Sequence, residues 1–238
     1  MLYWWLRDGR AMDPKEVILM LLMVFVAITI SFGLHEFAHA LAAHLLGDDT
    51  AKAAGRLTMN PFAHTDLMGT ILILLVGFGW GKPVPINYSN LNKLKNRKAS
   101  AVIVALAGVA MNFVIALVGG IINAILKARF FNEVTFIICT LISYIQAYSL
   151  MHMAFNLIPV APLDGYRVIY EILPYKTRNS RGFMLFTQYG PTVLFVLILI
   201  ANFGSGRFDL LRFIIDKIEY PAVVVINYVS DIIYGILR

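Results

Sequence analysis

His35-Glu36-Phe37-Ala38-His39 reads H-E-x-x-H, a spacing that on a helix sets two imidazoles one turn apart on the same face. Two neutral imidazole nitrogens so placed suit one Zn²⁺ ion. Glu36 then stands beside the metal as a base for its bound water. The pentapeptide fixes only three positions and recurs in proteins that bind no metal, where paired helical histidines pack or face solvent. Its setting separates the two readings. The motif lies within an apolar run that begins near Val17, so a carboxylate and two imidazoles sit at membrane depth. A central Asp or Lys there costs roughly 2.5–3.5 kcal/mol on insertion scales, and such groups are functional by default.

A catalytic zinc keeps three protein ligands and one open position, so a third ligand must come from elsewhere in the chain. His44, His64, His152, Asp66 and Asp164 qualify by type and location. His44 is turned roughly 140° from His39 at about 100° per residue, which favours an interfacial place. His152 suits a hydrogen bond between helices. Asp164 follows Pro159 and Pro162, which open a helix end, and precedes Gly165, which permits a tight backbone. A carboxylate on such a broken helix can turn back into a bundle. It can equally cap a helix that starts at Gly165.

These residues need a membrane scaffold, and the composition supplies one. The 238 residues are 59% hydrophobic and 14% charged, against roughly 25% charged in soluble domains. An all-α polytopic membrane protein of about five transmembrane helices is expected. The first runs from Val17 to Leu46, with Pro14 as its start. Leu67 to Gly79 is apolar but too short to cross as an ordinary helix. Trp80 to Asn87 holds Gly81, Pro83 and Pro85, which oppose helix; together with Gly79 they predict a re-entrant or β-hairpin-like element after the histidine-bearing helix. Further spans are expected at Ala99–Leu126, Thr135–Leu157 and Phe183–Asn202. Leu210–Leu237, interrupted by Asp216, Lys217, Glu219 and Pro221, is either a last span from Pro221 onward or an interfacial helix.

The chain divides into an interfacial segment, residues 1–16 with Trp4 and Trp5, and a single unit from 17 to 238. Its core is 17–170, with additional helices over 183–238. Residues 1–16 do not resemble a removable signal peptide. The single cysteine, Cys139, rules out an intrachain disulfide and a cysteine zinc site. The net charge of +6 comes from Lys and Arg in short loops, which is a topology signal and predicts no nucleic-acid partner. Residues 47–98 and 160–182 carry most of these charges and fall on the same side, which the positive-inside rule makes cytoplasmic. His39 and Asp164 therefore share a leaflet, and the chain is expected in the cell membrane as a multi-pass protein with its site nearer the cytoplasm.

Four stretches in order, Leu34–Ala40, Asn60-Pro61-Phe62-Ala63-His64, Phe78–Asn87 and Asn156–Gly165, resemble the site-2 protease family of intramembrane zinc metalloproteases, in its short form without PDZ or CBS domains. The resemblance covers residues ~17 to 170, and four ordered motifs are far more specific than one pentapeptide. It implies His35, His39 and Asp164 as ligands of one Zn²⁺ per chain and Glu36 as the catalytic base. It further implies Asn156 as a helper for the oxyanion or the substrate backbone, with Asn60 and His64 supporting the site. The chain departs from the family at Val109, where relatives often have proline after Ala107-Gly108.

The expected activity is hydrolysis of peptide bonds within or near transmembrane segments of membrane proteins, as in regulated intramembrane proteolysis. The substrate helix must be unwound, because its carbonyls are tied into i to i−4 bonds. Gly79, Gly81, Pro83 and Pro85 lie in a segment that either offers an edge for strand addition or forms a structural hairpin at the interface. Two other readings stand beside proteolysis: an inactive membrane scaffold of the same fold and a metal-ion transporter. The scaffold predicts loss of a ligand or of Glu36, and all are present. The transporter predicts polar residues along both halves of a pathway, whereas here they gather in one leaflet.

Overall fold

A computed structural model describes residues 13–76, 79–203 and 209–238. Most of the expected interfacial segment 1–16 therefore lies outside the described residues. Helix α1 spans Pro14–Leu45. The Asp13 side chain accepts from the Lys15 amide at 2.9 Å, and Pro14 occupies a first-turn position that needs no donor. Its 32 residues reach about 48 Å at about 1.5 Å each, well beyond a hydrocarbon core of about 30 Å.

Gly47, at φ 111°, turns the chain out of α1 into the short helix α2, Thr50–Ala53. A 3₁₀ turn covers Pro61–His64, and α3 covers Leu67–Val76. At ten residues, α3 is too short to cross a bilayer. Residues 79–87 run without helix into a 3₁₀ turn at Tyr88–Asn90. No strand forms among the described residues, so the proline-rich segment has no ladder partner there.

Helix α4 is Arg97–Arg129, begun by the Asn96 side chain, which accepts from the Lys98 amide. It continues unbroken through Val109, as expected where no proline interrupts the amide ladder. Helix α5, Glu133–Asn156, opens on a reciprocal Asn132–Thr135 capping box. Then come α6 (Asp164–Ile172), α7 (Tyr175–Arg178), α8 (Arg181–Phe203) and α9 (Leu210–Leu237). Among the described residues α1, α4, α5, α8 and α9 are long and apolar enough to cross a membrane. Helix α9 runs through Pro221 as one element, beginning well before the proline.

Helix α4 is the hub, packed against α1, α5, α6 and α9. Close approach rests on small residues: a Cβ on Gly120 would stand 2.8 Å from both Ile226 and Ser230 of α9. Such contacts matter where lipid supplies no hydrophobic drive between helices. Asn123 donates to Ser143 Oγ at 3.1 Å, joining α4 to α5. Val24, Ala27 and Ile28 of α1 pack with Tyr148 of α5, and Leu194, Ile198 and Leu211 close α8 and α9 over Ile158. The up-down order of α1, α4 and α5 brings the C-terminal end of α1, the start of α4 and the segment after α5 to one end of the bundle.

Candidate metal centre

The last turns of α1 carry His35 and His39, and both side chains are buried. Their Nε2 atoms lie 2.9 Å apart, and each is 3.2 Å from Asp164 Oδ2. These three ligand atoms form the metal-capable cluster among the described residues. Asp164 gets there because the chain doubles back at the end of α5. A Cβ on Gly165 would meet the Leu157 carbonyl oxygen at 2.4 Å, so only glycine lets α6 begin against that end. Asp164 is the first residue of α6, after the N-cap Leu163, and its carboxylate points to the histidines instead of capping the helix.

The donor chemistry suits a cation. His39 Nδ1 lies 2.7 Å from the Val104 carbonyl, so Nδ1–H donates there and the Nε2 lone pair is left facing His35 and Asp164. Asp164 Oδ2 is buried with no hydrogen-bond partner. Lone pairs this close repel one another unless a positive charge lies between them. Space is kept for it as well: a Cβ on Gly108 of α4 would stand 2.4 Å from His39 Nε2 and 2.7 Å from His35 Nε2. Two imidazoles and a carboxylate are a donor set suited to zinc.

The other third-ligand candidates are engaged elsewhere. His44 pairs with Asp49 at the exposed end of α1. Asp66 accepts from the Gly69 amide at 2.8 Å and starts α3. His152 stacks between Phe32 and His35, with ring centroids 4.0 and 4.3 Å away. His64 is fully buried, with Nε2 donating to the Thr58 carbonyl at 3.0 Å and Nδ1 accepting from Arg56 at 3.2 Å. Both of its nitrogens are thus used in holding the loop. Asn60 is exposed and caps the turn at Pro61–His64 by accepting from the Phe62 amide. Its neighbour Pro61 presses on Gly33 of α1, where a Cβ would meet the proline at 2.6 Å.

Glu36 lies beside the cluster, half-buried, and its Oε2 accepts from the Val84 amide at 2.7 Å. The 79–87 segment is fastened at Lys82, Val84 and Asn87. The Lys82 amide donates to the His64 carbonyl at 2.9 Å, Val84 donates to Glu36, and the Asn87 amide donates to Asp48 at 2.7 Å. Asp48 is fully buried and also accepts from Thr50 and Asn90. Burial disfavours its charge, but these donors outweigh that and hold the carboxyl below its ordinary value.

A cavity of about 1110 Å³ adjoins the cluster. His35, Glu36, His39, Asp164 and Asn156 line it, as do Gly79, Gly81 and Pro83, whereas Asn60, His64 and Pro85 do not. Asn156 donates to the His152 carbonyl at 3.1 Å through its amide nitrogen. Sequence reasoning gave no role to Val104, Gly108 or Asn112, although Gly108 directly precedes Val109 and Asn112 lies three residues after it. A lone Asn one turn after a Gly in an apolar helix was the available signal.

Three relatives carry the comparison with known proteins further than the site alone. The chain is 36% identical over 202 residues to "Putative zinc metalloprotease YwhC" of Bacillus subtilis (strain 168), covering 80% of this chain and 91% of that protein. It is 28% identical over 207 residues to "Putative zinc metalloprotease Rip2" of Mycolicibacterium smegmatis, covering 85% and 76%. The Rip2 of Mycobacterium tuberculosis (strain H37Rv) is 25% identical over 211 residues, with 87% and 78% covered. No family model matches the chain, and no solved structure matches it.

Proposed function

Because the chain belongs to the site-2 protease family of zinc metalloproteases, we propose that it hydrolyses peptide bonds within or near transmembrane segments of membrane proteins. The observation that carries this reading is the convergence of His35, His39 and Asp164 beside Glu36, on the wall of a cavity walled by helices long enough to cross a bilayer. His35, His39 and Asp164 would hold one zinc ion per chain. Bound there, zinc supplies Lewis acidity to the scissile carbonyl and to a water molecule.

The residues of the chain do the rest. Glu36 takes the proton of the attacking water and delivers it to the leaving amine. Val84 N–H fixes the carboxylate by holding one oxygen, which leaves the other for that proton. Asn156 has a second amide hydrogen beyond the one given to His152, and donates it to the carbonyl oxygen as charge builds. Losing such a donor has cost ~2.7–4 kcal/mol in other enzymes. The 79–87 segment acts as the re-entrant element that holds the unwound substrate extended along the cavity. The site lies nearer the cytoplasmic side, because Lys52, Arg56, Lys93, Lys95, Arg97 and Lys98 belong to the same end of the bundle.

Purified protein in detergent or vesicles tests this reading. One zinc per chain and cleavage of a helical membrane substrate, both lost in His35→Ala and Asp164→Ala, are expected. Zinc transport into vesicles without any peptide cleavage contradicts the reading.

A further inference from the structure

The face of α4 that meets the two histidines is built at four-residue intervals. Val104, Gly108 and Asn112 follow one another one turn apart. The Val104 carbonyl takes the Nδ1–H of His39, and Gly108 leaves room between the rings. Asn112 is fully buried in an apolar helix. Its side-chain amide nitrogen is placed 3.2 Å from His35 Nδ1, while its Oδ1 has no partner. Oxygen and nitrogen of such an amide are interchangeable in shape and are assigned from their partners. Turning the amide over puts the acceptor against His35 Nδ1 and removes the orphaned oxygen, since His35 can supply the proton.

We propose that Asn112 is a positioning residue for His35. Its side-chain oxygen accepts the Nδ1–H, fixes the tautomer with the Nε2 lone pair free, and holds the ring plane toward Asp164. This rests on the zinc site argued above. The arrangement makes α4 the orienting partner of both histidines, through a backbone carbonyl for His39 and through a side chain for His35. The stack of His152 on the His35 ring restrains tilt of the plane but offers no acceptor to Nδ1, so it does not replace Asn112. A buried amide in a lipid-embedded helix is costly without a partner, and His35 Nδ1 is the partner the geometry provides.

The test compares zinc affinity, by competition with a chromogenic chelator, in wild type, Asn112→Leu and Asn112→Asp. Leucine keeps the volume and removes the acceptor, while aspartate keeps the acceptor. Removing such an orienting bond lowers metal affinity about 10–100-fold in other sites, and that loss is expected for Asn112→Leu. Asn112→Asp is expected within about threefold of wild type, on the same reasoning that the acceptor is retained. A zinc affinity of Asn112→Leu equal to wild type overturns the proposal, and so does equal loss in both variants, which marks a purely structural role. Nitrogen-15 spectra of histidine-labelled, zinc-loaded wild type give a check that needs no variant to fold: a His35 Nδ1–H protected from solvent exchange supports the proposal, and a His35 Nδ1–H that exchanges freely overturns it. Failure of wild type to bind zinc defeats the protease reading itself and is distinguishable from all of these.

Discussion

The Glu36 carboxylate accepts the backbone amide of Val84 at 2.7 Å, which couples the proposed base to the segment that lines the cavity. Pro83 and Pro85 flank that amide and have no N–H of their own. Val84 is thus the one donor in this tripeptide. Val84→Pro removes the bond while suiting extended backbone. Cleavage is expected to fall about 10-fold or more, in line with the usual worth of a charge-assisted hydrogen bond of about 1.5–3 kcal/mol, while zinc content stays at the wild-type level. Metal analysis alongside a cleavage assay checks both parts.

Gly108→Ala places a methyl carbon where 2.4 Å separates it from His39 Nε2. Alanine favours helix over glycine, so α4 itself is expected to persist. Zinc affinity is expected to drop by at least about 100-fold, the upper end of what disturbed ligand support causes. Circular dichroism with a chelator titration separates loss of metal from loss of fold.

His64→Ala removes the acceptor of Arg56 and the donor to Thr58. Because both ring nitrogens are already engaged, the variant is expected to keep one zinc per chain while its loop loosens. Faster proteolytic nicking between residues 55 and 90, with unchanged zinc stoichiometry, is the predicted outcome. Loss of zinc in proportion to loss of His64 would place this residue among the ligands.

Asp48 gathers the Thr50, Asn87 and Asn90 donors under the end of α1. Asp48→Ala is expected to cost about 1–3 kcal/mol locally, because buried donors lose their acceptor. The sign with pH follows from the lowered folded pKa. The stabilisation is complete above the unfolded carboxyl value of 3.8 and is lost as pH falls through the lower folded value. Hydrogen exchange at the Asn87 amide should be faster in the variant at neutral pH, and the difference should shrink on strong acidification.

Much of the scaffold is legible in the chain because apolar runs over twenty residues have few other fates. Pro14, Asn96 and Asn132 mark helix starts through their own chemistry. His35 and His39 declare each other by spacing, whereas counting crossings puts Asp164 only in the same leaflet, and its choice over the other candidates comes from the family resemblance. What local pattern hides is contact made by backbone or by missing side chains. The Val104 carbonyl carries no signal in a hydrophobic helix, and Gly108 marks a close approach without saying what approaches. Gly47-Asp48-Asp49 reads as a helix break, yet Asp48 is a buried anchor for residues forty positions on. Asn60 and His64 stand near the site in sequence motif, and their side chains serve a 3₁₀ turn and a buried arginine while the His64 carbonyl holds the Lys82 amide of the cavity-lining segment.

The central claim is that Glu36 performs chemistry beside a metal that His35, His39 and Asp164 hold. Glu36→Gln keeps size and the acceptor for Val84 but removes the base. Measured side by side with wild type in vesicles, it is predicted to retain one zinc per chain and to lose cleavage of a helical membrane substrate by at least about 100-fold, the lower bound for general-base catalysis. Equal cleavage by the two proteins would contradict the account.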